Sequence, residues 1–152
     1  MNTKIELIIV AHLLVAFILG AIIGLERERH GYSAGIRTYA SVTLGAALFT
    51  LIGIHATDDT AAGRIVANIV TGIGFLGAGL IYRDKDKDYV FGLTTASTIW
   101  SSAAVGVAVA YNMYIIAVSA TIAIYVLLAL QNFRWYIKLT EKWAEKQNPK
   151  KT

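Results

Sequence analysis

Five long apolar runs, separated by short segments into which the charges are clumped, leave this chain few choices of fold. They cover about residues 5–25, 37–54, 62–82, 92–111 and 113–131. A helix rises about 1.5 Å per residue, so about 20 residues cross the hydrocarbon of a bilayer. In lipid the backbone must satisfy its own hydrogen bonds, which a helix does within one segment. The expectation is an all-α integral membrane protein with five transmembrane helices. Composition agrees: 56% of residues are hydrophobic and 16% charged, against about 25% charged in soluble domains. The 152 residues make a single domain of residues 1–132, followed by a basic amphipathic tail at 133–152. In that tail Phe133, Tyr136, Leu139 and Trp143 recur at helical spacing. The first run is expected to stay in place as a helix. Its apolar centre is longer than that of a signal peptide, and it ends on Glu26-Arg27.

Charge sets the direction. Short linkers make sequential helices antiparallel neighbours. Twelve of the 14 Lys and Arg then fall on one side, and only Lys4 and Arg64 on the other. The positive-inside rule makes the crowded side the cytoplasm. The N-terminus is therefore expected outside, the C-terminus in the cytoplasm, and the chain in a cytoplasmic (inner) membrane as a multi-pass protein. The same placement explains the net charge of +4 without nucleic acid. There is no cysteine, so disulfides and thiolate chemistry are excluded.

Polar and small residues inside the runs are the candidates for function. Ala16, Gly20 and Gly24 form a stripe at four-residue steps, with His12 on the same face. Small residues let helix backbones approach closely in lipid. The third run holds Gly72, Gly74, Gly77 and Gly79 within eight residues. Glycine costs about 1 kcal/mol against alanine in a helix interior in water. Two readings fit: very tight helix packing, or an unwound segment whose backbone meets a ligand. Asn68 lies four residues before Gly72 and needs partners for its amide. The fourth run opens with Thr94, Thr95, Ser97, Thr98, Ser101 and Ser102, a face that either bonds its own carbonyls or lines a polar cavity. Trp100 lies deeper than a belt tryptophan, and its indole N–H needs an acceptor if buried. At the cytoplasmic mouth, Glu26 and Arg37 sit at similar depth and are candidates for a buried pair, with Arg27 and Thr38 beside them. Asp84, Asp86 and Asp88 alternate with basic residues and offer a hydrated loop, not a fixed metal site. The histidines are scattered in depth and no nucleophile pairs with a base. No enzyme, cofactor or metal is expected.

The chain resembles the MgtC/SapB family of bacterial and archaeal inner-membrane proteins. The matching pieces are Gly24-Leu25-Glu26-Arg27, Gly35-Ile36-Arg37-Thr38, Leu44-Gly45-Ala46, Gly72-Ile73-Gly74-Phe75-Leu76-Gly77-Ala78-Gly79 and Gly92-Leu93-Thr94-Thr95 with Trp100, then Ala104 and Gly106. Their order and spacing match across about residues 10–130. The resemblance implies a protein linked to growth in low magnesium. In pathogens it implies virulence, and for some members restraint of the F-type ATP synthase. It makes Glu26, Arg27, Arg37, Thr38, Asn68, Thr94, Thr95 and Trp100 functional candidates, with Gly20, Gly24, Gly72, Gly74, Gly77 and Gly79 as packing residues. Members often add a soluble C-terminal domain, which the roughly 20 residues after the fifth run are too few to form. Two function classes follow. One is a regulatory membrane protein acting through membrane partners, a homodimer among them. The other is an ion or small-solute transporter with a polar path between helices 3 and 4.

Overall fold

The computed structural model describes residues 3–56, 59–83 and 89–147. The five expected helices are present: α1 (Thr3–Arg29), α2 (Ile36–Ala56), α3 (Asp59–Leu80), α4 (Leu93–Ala110) and α5 (Tyr114–Ala129). Each is long and apolar enough to cross a membrane, α5 together with the 3-10 turn that follows it. The main difference in length is at α1. It runs one turn beyond residue 25 and carries Glu26 and Arg27 inside the helix rather than in a linker. Arg27 and Arg29 in that last turn favour its continuation, because cations complement the helix C-terminus.

The linkers have identifiable locks. Gly31 takes φ +74°, in the left-handed region, and closes α1 while Tyr32 N–H bonds back to Arg27 O at 3.1 Å. Glu28 Oε2 then accepts from Ile36 N–H at 2.8 Å, so a carboxylate from the end of α1 caps the start of α2. Asn112 turns α4 into α5 with φ +59°, a conformation asparagine tolerates better than most residues. The linker after α3, read from sequence as a loop, is an antiparallel hairpin. Its strands are β1 (Tyr82–Arg83) and β2 (Val90–Phe91), with Tyr82 opposite Phe91. Stacking of those two rings at 5.3 Å, with Tyr89 edge-on to Phe91, holds the strand ends together. Residues 84–88, and with them Asp84, Asp86 and Asp88, lie outside the described residues. The tail is no continuation of α5. A 3-10 turn at Leu130–Asn132 and extended backbone at Phe133 separate it as α6 (Arg134–Gln147).

Helices α1, α2 and α4 make the centre, with α3 against α2 and α4, and α5 against α1 and α4. Thr43 of α2 is the keystone. It is fully buried, and glycines approach it from both sides. A Cβ on Gly20 would meet the Thr43 hydroxyl and lie 2.7 Å from Tyr39 O, and one on Gly106 would strike the Thr43 carbonyl. Gly24 is equally tight, against Gly35 and Ile36. Gly20 and Gly24 thus occupy the close approaches their spacing suggests, while Gly106 was singled out only by resemblance.

The α3 glycines behave otherwise. The helix is continuous from Asp59 to Leu80, so an unwound segment is not what they provide. Only Gly77 makes an ordinary contact, with Ala96 at 3.7 Å. A Cβ on Gly72, Gly74 or Gly79 would meet nothing within 4 Å. Among the described residues these three have no packing neighbour.

Candidate functional site at the basic end

The ends of α1 and α5 and the start of α4 converge around Arg27, at the end of the bundle where the element ends also carry Arg29, Arg37 and Arg83. Here α1 places two charged side chains in the interior: Glu26 and Arg27 are each only 2% exposed. A buried charge is costly unless it is paired or well hydrogen-bonded. The expected pair of Glu26 with Arg37 does not form. Arg37 is exposed, and the extra turn of α1 carries Glu26 away from it toward α5. Glu26 Oε1 instead lies 3.1 Å from His30 Nδ1 and 3.5 Å from Asn132 Nδ2. Its Oε2 has no hydrogen-bond donor among the described residues.

Arg27 points the other way, to α4. Its Nη2 donates to Thr95 Oγ1 at 2.6 Å, and Tyr32 lays its ring over the guanidinium carbon at 3.3 Å. Tyr32 is held there by a 2.8 Å bond from its hydroxyl to Gln131 Oε1. Deeper in, the fully buried Tyr39 shares a 2.7 Å hydrogen bond with Thr98, one turn below Thr95. A polar seam therefore links α1, α2 and α4. A cavity of about 480 Å³ opens beside it, lined by Arg27, Tyr32, Thr94, Thr95, Gln131 and Tyr136 among others.

Of the remaining candidates, Thr94 is exposed and its carbonyl accepts from Thr98, while Thr38 is half-buried in the first turn of α2. Trp100 is 49% exposed on the outside of the bundle, so its indole is not a buried donor on the hydroxyl face. The α4 hydroxyls mostly bond back to their own helix: Ser97, Thr98, Ser101 and Ser102 all donate to carbonyls three or four residues earlier. Sequence reasoning passed over Tyr32, Tyr39 and Asn132. The signal for Tyr39 was available, since a tyrosine inside a span requires a partner for its hydroxyl.

The opposite end holds a second polar cavity, of about 370 Å³, lined by His12, His55 and Asn112. His12 Nε2 lies 2.9 Å from the Asn112 side chain, a bond from α1 to the turn between α4 and α5. Between the two cavities the centre is filled by Ala16, Ile23, Ala47, Ile99 and Val105, and closed by the Gly20–Thr43–Gly106 contact. Among the described residues no group of three or more His, Asp or Glu is placed to hold a metal.

Asn68 belongs to neither end. It is exposed on α3, beside a lateral apolar groove of about 480 Å³ between α2 and α3. Asn68, Gly72, Phe75 and Gly79 fall on one stripe of α3 by their spacing of four, three and four. Phe75 is 81% exposed, and only 11% of the α3 span is buried.

The MgtC family profile matches residues 13–134, most of the chain, from α1 through the end of the bundle. The chain belongs to the MgtC family. It is 40% identical over 134 residues to Protein SrpB of Synechococcus elongatus, covering 80% of this chain and 72% of that protein. It is 47% identical over 115 residues to Protein MgtC of Salmonella typhimurium, and 44% identical over the same length to Protein MgtC of Brucella abortus. Those matches cover 76% of this chain but 48% of each MgtC protein, so the chain corresponds to about half their length. No solved structure shows a significant match.

Proposed function

We propose that this MgtC-family protein is a regulatory inner-membrane protein. On this reading it serves adaptation to low magnesium and acts by contact with membrane partners, a second copy of itself included. The observation that carries the reading is the α3 surface. An amide in the apolar part of a bilayer without a partner costs several kcal/mol, on the order of 2–7 for full transfer. Asn68 nevertheless stands on the outer surface, on one stripe with two glycines that no described residue packs against. Small residues with a polar side chain between them are what associating membrane helices use. The groove beside that stripe gives an incoming helix a place to lie. Family resemblance makes the F-type ATP synthase one partner to examine, and the basic side is assigned to the cytoplasm.

The filled centre supports contact over conduction, because the polar cavities at the two ends are not continuous through it. The deciding experiment combines two readouts. Asn68→Leu and Gly79→Leu are scored for membrane abundance and for rescue of low-magnesium growth in a strain lacking the protein. Purified protein in proteoliposomes is assayed for flux of Mg²⁺, K⁺ and H⁺. The expected result is normal abundance, lost rescue and no flux above empty vesicles. Saturable flux with full rescue by both variants overturns the reading.

A further inference from the structure

The cavity at the basic end has the chemistry of an anion site. The start of α4 supplies the first part. Gly92 precedes the helix with φ +88°, where a Cβ would collide with Leu80 O, so the position suits glycine alone. As a glycine it has no side-chain oxygen to cap the helix. The first helical bond is from Ala96 N–H to Gly92 O at 2.8 Å, and the amides of Leu93, Thr94 and Thr95 precede it. Such amides carry about half a positive charge between them and bind anions. Gly92, Leu93, Thr94 and Thr95 all line the cavity.

Arg27 supplies the second, independent part. It lines the same cavity, is 2% exposed, and reaches the first turn of α4 through Thr95. Its Nε has no acceptor among the described residues. No carboxylate lies within 4.0 Å of its guanidinium among them. The neighbouring Glu26 does not line the cavity; its carboxyl is turned to His30 and Asn132. Among the described residues, a buried guanidinium with an unused N–H, set against a helix N-terminus that lacks a side-chain cap, is short of one negatively charged acceptor. A planar or tetrahedral oxyanion fits, since guanidinium forks match carboxylate and phosphate geometry.

We propose that Arg27, Thr95 and the first-turn amides of α4 form a binding site for a phosphate group. Tyr32 covers one face of the guanidinium and is held there by its bond to Gln131. The phosphate has two possible sources: an acidic lipid headgroup at the membrane surface, or a free phosphate from the aqueous side. This inference is independent of the partner contact on α3 and stands or falls by a different measurement.

The test uses the whole chain, ¹⁵N-labelled, in nanodiscs. One arm keeps the lipid as neutral phosphatidylcholine and titrates inorganic phosphate at constant ionic strength. The other replaces increasing fractions of the lipid by phosphatidylglycerol without free phosphate. The amide signals of Leu93, Thr94 and Thr95 are expected to shift saturably in one arm. Saturation with inorganic phosphate identifies a free anion, and saturation with phosphatidylglycerol alone identifies a headgroup. Arg27→Lys keeps the charge but loses the fork. It is expected to weaken binding by about tenfold or more, the loss of one charge-assisted hydrogen bond. The wild-type titration needs no variant, so misfolding of Arg27→Lys leaves the test intact. Absence of saturable shifts at these three amides in both arms overturns the proposal, as does unchanged affinity in a folded Arg27→Lys.

Discussion

Replacing Gly106 by alanine places one methyl group against the keystone of the bundle. Its Cβ would lie 3.0 Å from the Thr43 carbonyl carbon and 3.1 Å from Ala46 Cβ, with the Thr43 oxygen closer still. Non-bonded carbons prefer about 3.5–4.0 Å, so α2 and α4 must part by about 0.5–1 Å. The obstacle is backbone and cannot rotate away. Overpacking of this kind costs about 1–3 kcal/mol, and alanine returns up to about 1 kcal/mol of helix propensity. The net change at Gly106 is then a loss of about 0–2 kcal/mol. Gly79→Ala is the matched control, because a Cβ there meets nothing within 4 Å. It keeps only the propensity gain. Thermal unfolding of both variants in dilute detergent, where copies do not associate, should place Gly106→Ala about 1–3 kcal/mol below Gly79→Ala. Equal stability, or greater stability of Gly106→Ala, would refute the claim that Thr43 is wedged between glycines.

Three further outcomes are expected. Single cysteines at Thr3 and Gln147, in a chain with no native cysteine, should label from opposite sides of an oriented membrane; labelling of both from one side contradicts the odd helix count. Thr95→Val removes the acceptor of Arg27 Nη2 and should destabilise by about 1–3 kcal/mol, the cost of leaving a charged donor unmet, while Ser97→Ala at an exposed position should cost under about 0.5 kcal/mol. Glu26 and Arg37 do not pair, so Arg37→Gln is expected to leave membrane abundance unchanged whatever Glu26→Gln does, and a parallel loss in both variants would restore their coupling.

The helices were legible because apolar length in a bilayer admits one solution. Gly20 and Gly24 were legible as a packing stripe because spacing of four fixes a helix face. The same inference finds Gly72, Gly74 and Gly79 no neighbour among the described residues. Spacing says which residues share a face, but whether that face meets this chain or another depends on how α3 leans against α2 and α4. Glu26 and Arg37 misled for a related reason. Their pairing assumed that α1 ends near residue 25, and one additional helical turn rotates Glu26 toward His30 and Asn132. Arg27 was named beside them, yet its partners Thr95 and Tyr32 come from distant or irregular segments that no local pattern joins.

The central claim is that the Asn68–Gly72–Phe75–Gly79 stripe meets a protein rather than lipid. Cross-linking in native membranes addresses it directly. Phe75→Cys and Gly79→Cys sit on that stripe, and Ile115→Cys sits on a different helix, α5, where the native residue is 84% exposed. With a short thiol-reactive linker, the first two should yield a discrete higher-mass species, either a second copy or a single partner, and Ile115→Cys should remain monomeric. Monomer alone at Phe75→Cys and Gly79→Cys across all linker doses, or equal cross-linking at all three positions, would contradict it.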